Sequence, residues 1–259
     1  GTIAIPLIII CIISVLIVIK LLIKKLKIPT RMAYLISIGS TVCGTTAIMA
    51  TAPVIGAKKN EVSYAIANIT LFGIVSMLIY PYFANFYFNS EPLLIGLFLG
   101  TSIHETSQVA AAGLIYDQQF NSPETLNVAT VTKLIRNTFL IIMIPLFAFL
   151  YNRGRAVEKK YSIIGIFPYF VLGFVAMIVI RNLGDLMFSN TYEWLFVVDG
   201  IKLSSKIFLT MAMAAIGLST NLKEIKNMGF KPFIVGFIGM ATVGLVSITT
   251  IELYINFFY

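Results

Sequence analysis

Residues 40–57 read STVCGTTAIMATAPVIGA. The stretch lies within an apolar span, yet it consists almost wholly of small and hydroxylated residues, among them Ser40, Gly44, Thr45, Thr46, Thr51, Pro53 and Gly56. A uniform lipid-facing helix would carry Leu, Ile and Phe here. Gly and Pro weaken a helix, and nearby hydroxyls can take over backbone groups left without partners. The stretch therefore reads as a discontinuous membrane helix whose broken middle exposes backbone N–H groups to a solute near the bilayer midplane. The other reading is close packing, since Gly, Ala, Ser and Thr let membrane helices approach one another. Pro53 and the length of the run favour a break.

The totals agree with a membrane setting. Of 259 residues, 58% are apolar and only 12% are charged, against about 25% charged in soluble domains; mean hydropathy is +0.93. A soluble core of this length could not absorb so much apolar surface, so the chain reads as an all-α polytopic membrane protein. The two cysteines, Cys11 and Cys43, fall inside apolar spans and imply neither a disulfide framework nor a zinc site. The net charge of +8 sits mostly in loops. Membrane topology accounts for it, so nucleic acid is not expected as a partner.

Eight spans are expected, at 3–23, 32–57, 63–88, 92–116, 126–151, 162–183, 197–222 and 233–257, forming one transporter domain. Loops after the first, fifth and seventh spans are basic, and those after the fourth and sixth carry almost no Lys or Arg. The positive-inside rule puts the odd-numbered loops in the cytoplasm and both ends of this chain outside, with only the Lys58–Lys59 turn dissenting. Residues 210–220, TMAMAAIGLST, resemble the Thr45–Ala52 run in composition and include Gly217 and Ser219. An offset of five spans means opposite orientation, the mark of an inverted repeat. Repeats of five spans would place two further spans before residue 1.

Three more groups could carry chemistry. GTSIHETSQ, residues 100–108, packs Ser102, His104, Glu105, Thr106, Ser107 and Gln108 into what should be hydrocarbon. Intramembrane charge should face a cavity or a partner. His104 and Glu105 could exchange protons, or could merely hydrogen-bond a broken backbone. Lys133 and Arg136 share a helical face in the fifth span. They could neutralise an anion, pair with Glu105, or snorkel to the interface. Lys202 and Lys206 precede the seventh-span run, where an interfacial anchor is the simpler reading. A half-helix starting near Thr45 would add free N–H groups and a positive dipole end for an oxyanion. No phosphate loop, His-Glu-x-x-His or Gly-x-Ser-x-Gly occurs. An intramembrane hydrolase using Ser107 and His104 would lack a third, orienting group, so no enzyme is expected.

The strings CGTTAIMATAPVIGA, LFGIVSMLIYP, GTSIHETSQVAAAG, VTKLIRN and AMAAIGLSTNL, in that order, resemble the YeiH-type family of sulfate exporters. The likeness runs from about Tyr34 to Phe237. Related families show Ser at the place of Thr46 and Asp at that of Glu105, and they extend further at the N-terminus. The resemblance implies kinship with the cation/proton antiporter and anion transporter group, a bacterial inner-membrane location, and inverted repeats whose two broken helices, here spans two and seven, cross at the site.

Together these readings call for a secondary transporter exporting a small anion such as sulfate or an organosulfonate, coupled to protons or sodium. Ser40, Gly44, Thr45, Thr46, Ser102, Thr106, Lys133, Arg136, Gly217 and Ser219 are the expected binding residues; His104 and Glu105 would couple or gate. No cofactor or metal is expected. Membrane lipid surrounds the protein, and a homodimer is compatible with it. The competing class is a channel or structural membrane protein whose polar runs serve packing only.

Overall fold

A computed structural model describes residues 3–26, 28–152, 170–188, 191–219 and 230–258. All regular structure among them is helical. In chain order the helices are α1 (Ala4–Leu26), α2 (Thr30–Thr41), α3 (Gly44–Thr51), α4 (Lys59–Tyr87), α5 (Pro92–Ser102), α6 (Thr106–Phe120), α7 (Pro123–Thr138), α8 (Leu140–Asn152), α9 (Phe170–Met187), α10 (Tyr192–Ser219) and α11 (Phe230–Phe258). Three stretches are long and apolar enough to cross a bilayer, Ala4–Ile23, Lys59–Tyr87 and Lys231–Asn256. The pair Pro123–Thr138 and Leu140–Tyr151, bent by 40°, makes a fourth. The protein is a polytopic all-α membrane protein.

The chain forms two compact units, residues 1–166 with 220–259, and residues 167–219. In the first, α1 shows why its sequence is apolar all round. Leu7, Ile8, Cys11, Ile12, Val15 and Ile19 follow helical spacing and are buried, while Ile5, Ile9, Ile13 and Ile17 are exposed. The buried stripe packs mainly on α11, and the exposed one suits lipid. At the far end of α4, Tyr82, Phe83, Phe86 and Tyr87 are exposed, as fits an interfacial aromatic belt. The second unit is the α9–α10 hairpin, where the Trp194 indole and the Arg181 guanidinium both donate to Asp185, each at 2.8 Å.

Three expected spans are interrupted, the fifth by the bend at Phe139 between α7 and α8, and the other two are broken at their middle. The second divides into α2 and α3, and the fourth into α5 and α6. The first break lies just before the expected half-helix start at Thr45, at Val42 and Cys43, whose φ/ψ of −128°/−87° and −134°/89° leave the helical region. Pro53 follows the end of α3. The second break spans Ile103–Glu105, with Ile103 and Glu105 in extended geometry.

Helix α7 is laid against both halves of the broken fourth span. It is reached by a short turn in which Asn121 takes the left-handed conformation (φ 52°) and Pro123 opens the next helix. The α5–α7 seam is close because Gly96 and Gly100, spaced by four, face α7. A Cβ at Gly100 would lie 2.6 Å from Thr132 Cβ and 2.7 Å from the Ala129 carbonyl oxygen. This is the small-residue approach known from membrane helix pairs.

One expectation is corrected. Within the described residues the expected break in the seventh span does not occur: α10 runs unbroken through Gly217 to Ser219. The break that meets the second span's is the fourth span's. Helix α5 runs parallel to α7, with Gly96 at Val128 and Gly100 at Thr132, while α6 runs antiparallel to it, with Thr106 at Asn137 and Gly113 at Leu126, so the two halves of the fourth stretch fold back as a re-entrant hairpin rather than crossing as one span. The side chains of Lys206, Gly217 and Ser219 lie outside the described residues.

Candidate functional site

A broken helix leaves carbonyls at one end and N–H groups at the other without intrahelical partners. In this protein the two breaks meet: the Gly44 N–H donates to the His104 carbonyl at 3.3 Å. The carboxyl ends of α2 and α5 therefore lie together, and the amino ends of α3 and α6 lie together. Helix dipoles make the first pair of ends negative and the second positive.

Lys133 and Arg136 on α7 meet the negative ends. Both side chains are fully buried, which excludes snorkelling. The Lys133 ammonium donates to the carbonyls of Val42 (2.9 Å), Ile103 (2.8 Å) and His104 (2.6 Å). The Arg136 guanidinium donates to those of Thr41 (3.0 Å), Thr101 (2.6 Å) and Ser40 (2.9 Å). Each cation thus bridges both broken spans. Lys133 has all three N–H donors engaged, so it holds the breaks rather than reaching a solute directly. Among the described residues, neither cation forms an ion pair with Glu105.

Glu105 meets the positive ends. It is 5% exposed, and its Oε1 accepts from the Thr45 backbone N–H (3.1 Å), from the Thr45 hydroxyl, and at 3.5 Å from the Thr70 hydroxyl on α4. Gly44 permits this approach. A Cβ there would lie 2.6 Å from Glu105 Cγ and 2.9 Å from its Oε1. Gly44→Ala is therefore expected to push the carboxylate off the α3 terminus and to cost about 1–3 kcal/mol of stability. A lowered thermal-unfolding midpoint in detergent checks this, and an unchanged midpoint would refute it.

The remaining expected residues divide. Thr46 is exposed and Thr106 half-buried, at the first turns of α3 and α6. Thr106 Oγ1 accepts from Asn137 Nδ2 at 2.9 Å and contacts Cys43 Sγ at 3.6 Å. Ser102 lies on the other side of its break, and its hydroxyl donates to the Phe98 carbonyl at 2.6 Å. The Ser40 hydroxyl is buried without a partner. His104 is fully buried, neither ring nitrogen makes a hydrogen bond of regular geometry, and no bond joins it to Ser107. Lys202, read from the sequence as an interfacial anchor, is exposed and pairs with Asp199 at 3.0 Å.

Sequence reasoning missed Asn137. It stands four residues after Lys133 on the same face, and it is buried with Oδ1 unpaired. Reading VTKLIRN for a third polar residue at helical spacing would have found it. Gln108 is also buried and donates to the Thr70 carbonyl at 3.2 Å. It ties α6 to α4 behind Glu105.

Comparison with known proteins places this arrangement in a lineage. Residues 1–236 match the family described as Conserved hypothetical protein 698. UPF0324 membrane protein FN0533 of Fusobacterium nucleatum is 36% identical over 257 residues, covering 96% of this chain and 74% of that protein. UPF0324 membrane protein SAG1125 of Streptococcus agalactiae is 36% identical over 250 residues, covering 96% and 72%. A UPF0324 membrane protein of Clostridium tetani is 32% identical over 238 residues, covering 86% and 65%. No solved structure matches the chain.

Proposed function

The chain belongs to the Conserved hypothetical protein 698 family of bacterial membrane proteins, and from that premise we propose that it is a secondary transporter of a small oxyanion. One observation carries the reading: two broken helices meet at Gly44 and His104 with like ends together. Such an arrangement suits binding at depth, because fixed backbone donors can replace the water an anion loses in the bilayer. The binding place is the shared amino end of α3 and α6. Thr45, Thr46 and Thr106 supply donors there. Lys133 and Arg136 act one layer behind, holding the carboxyl ends of α2 and α5 and lending two positive charges. His104 and Glu105 couple or gate the cycle. Sulfate and organosulfonates fit this donor set, export across the bacterial inner membrane fits the resemblance, and a proton or sodium ion is the coupling ion.

One feature favours the competing reading of a structural or channel protein: both buried cations are engaged with their own backbone, which architecture alone could require. Ligand-dependent stability separates the two. A ligand at one hundred times its Kd stabilises by about 2.7 kcal/mol. Purified full-length protein is expected to show a raised unfolding midpoint with sulfate, sulfite or methanesulfonate, and little change with chloride. Proteoliposomes should then show anion flux with a fixed ratio to protons or sodium. If no oxyanion moves the midpoint and flux has no coupling ratio, the transporter reading fails.

A further inference from the structure

The amino end of α3 already holds an anion, the chain's own Glu105. We propose that this carboxylate is a tethered occupant of the oxyanion site, and that substrate and ionised Glu105 exclude one another, so each anion binds together with one proton. The inference rests on the transporter reading above and names the regulation of that same site.

The argument starts from geometry. Glu105 Oε1 takes the Thr45 N–H and hydroxyl, two of the donors an incoming oxyanion would use at that helix end. Gly44 leaves space for this side chain and no more. The same meeting point holds the buried Oδ1 of Asn137 without a partner, its amide nitrogen on Thr106 at the start of α6, and the His104 ring, which makes no hydrogen bond of regular geometry. They fit a second arrangement, in which a protonated Glu105 swings from Thr45 and gives its O–H to an acceptor such as Asn137 Oδ1. The His104 ring N–H and the released Thr45 donors then face the substrate.

Charge points the same way. Lys133 lies within electrostatic reach of Glu105, Cys43 and Arg136, and Arg136 of Cys43 and of Cys11 on α1, while His104 is next to Glu105 in the chain. Helix α4 faces it with Thr70, and α5 and α8 carry no charged residue. With Glu105 ionised and His104 neutral, the two buried cations and one carboxylate leave one net positive charge. With Glu105 protonated they leave two, the match for a divalent oxyanion such as sulfate. Protonation breaks no covalent bond except that of the proton donor, and the proton leaves again when the anion does.

Linkage fixes the sign. If binding requires the protonated carboxyl, affinity falls as pH rises through its titration, approaching tenfold per pH unit for one proton. The test uses purified full-length protein with sulfate, and with methanesulfonate as a monoanion of similar head group. Wild-type protein is expected to take up about one proton per bound sulfate in weakly buffered solution. Glu105→Gln keeps the side chain's size but cannot ionise. It is expected to bind sulfate roughly tenfold or more tightly at pH 8 and to lose most of the pH slope. Sulfate binding without proton uptake by wild-type protein overturns the proposal even if the variant does not fold. So does a Glu105→Gln variant that keeps the wild-type affinity and slope. Binding of methanesulfonate but not sulfate, with no proton uptake, also overturns it while leaving the transporter reading intact. Failure of every oxyanion to bind either protein at any pH removes both.

Discussion

Arg136→Met is expected to destabilise the protein by on the order of 5 kcal/mol and to abolish anion binding. The reason is the three carbonyls the guanidinium now satisfies, on Ser40, Thr41 and Thr101. The Lys133 donors beside them are taken up by Val42, Ile103 and His104, and a buried polar group left without a partner costs about 1–3 kcal/mol. Methionine fills much of the volume but donates nothing. The like-signed ends of α2 and α5 would then be held by Lys133 alone. Lys133→Met is expected to act similarly through Val42, Ile103 and His104. Arg136→Lys should recover only part of the loss, because one ammonium cannot reproduce the planar fork. Lys202→Met is the control. Its ammonium is exposed and meets only Asp199, so no measurable change is expected. Size-exclusion profiles of heated samples, together with sulfate binding, provide the readout. An Arg136→Met protein that stays folded and binds sulfate normally would show that the carbonyl ends do not need the cation.

Gly100→Leu is expected to have an effect of comparable size by a different route. The seam between α5 and α7 has no room for a side chain: a Cβ at Gly100 already meets the Ala129 carbonyl oxygen at 2.7 Å, and one at Gly96 meets Val128 Cβ at 2.5 Å. Backbone atoms cannot step aside as a flexible side chain can, so α7 must move outward. Overpacking of this kind costs about 1–3 kcal/mol in soluble cores. Here the displaced helix also carries Lys133 and Arg136, and a shift of an ångström breaks hydrogen bonds of 2.6–3.0 Å. The variant should lose sulfate binding even where folded material is recovered, and Gly100→Ala should fall between it and wild type. Full binding by a folded Gly100→Leu protein would mean that α7 is not what holds the site.

Much of this was legible in the chain. The break in the second span was readable because Gly44, Thr45 and Thr46 replace lipid-facing residues, and the half-helix does start beside Thr45; Pro53, which also argued for a break, lies past the end of α3 and makes none. The importance of Lys133 and Arg136 was readable from their depth, but not their use. Composition shows that a buried cation needs an acceptor, not that the acceptors are main-chain carbonyls from two other spans. Ser102 illustrates the same limit. Its hydroxyl suits an anion or the carbonyl four residues back, and only the fold shows it takes the latter. The seventh span misled because its Ala-, Gly- and Ser-rich composition resembles that of the second. Small residues also occur in an uninterrupted helix, as α10 shows as far as Ser219.

The brevity of the half-helices bears on how the protein is made. At 1.5 Å per residue, the 12 residues of α2 and the 11 of α5 reach less than about 20 Å, well short of a hydrocarbon core of about 30 Å. Neither can settle in the membrane as an independent rod when it leaves the ribosome. Their loose ends must stay hydrated, or wait beside the insertion machinery, until the stretch carrying residues 133 and 136 has been synthesised. Biogenesis of this protein is therefore a delayed assembly, and nascent chains stalled before α7 should remain open to proteases that the finished bundle resists.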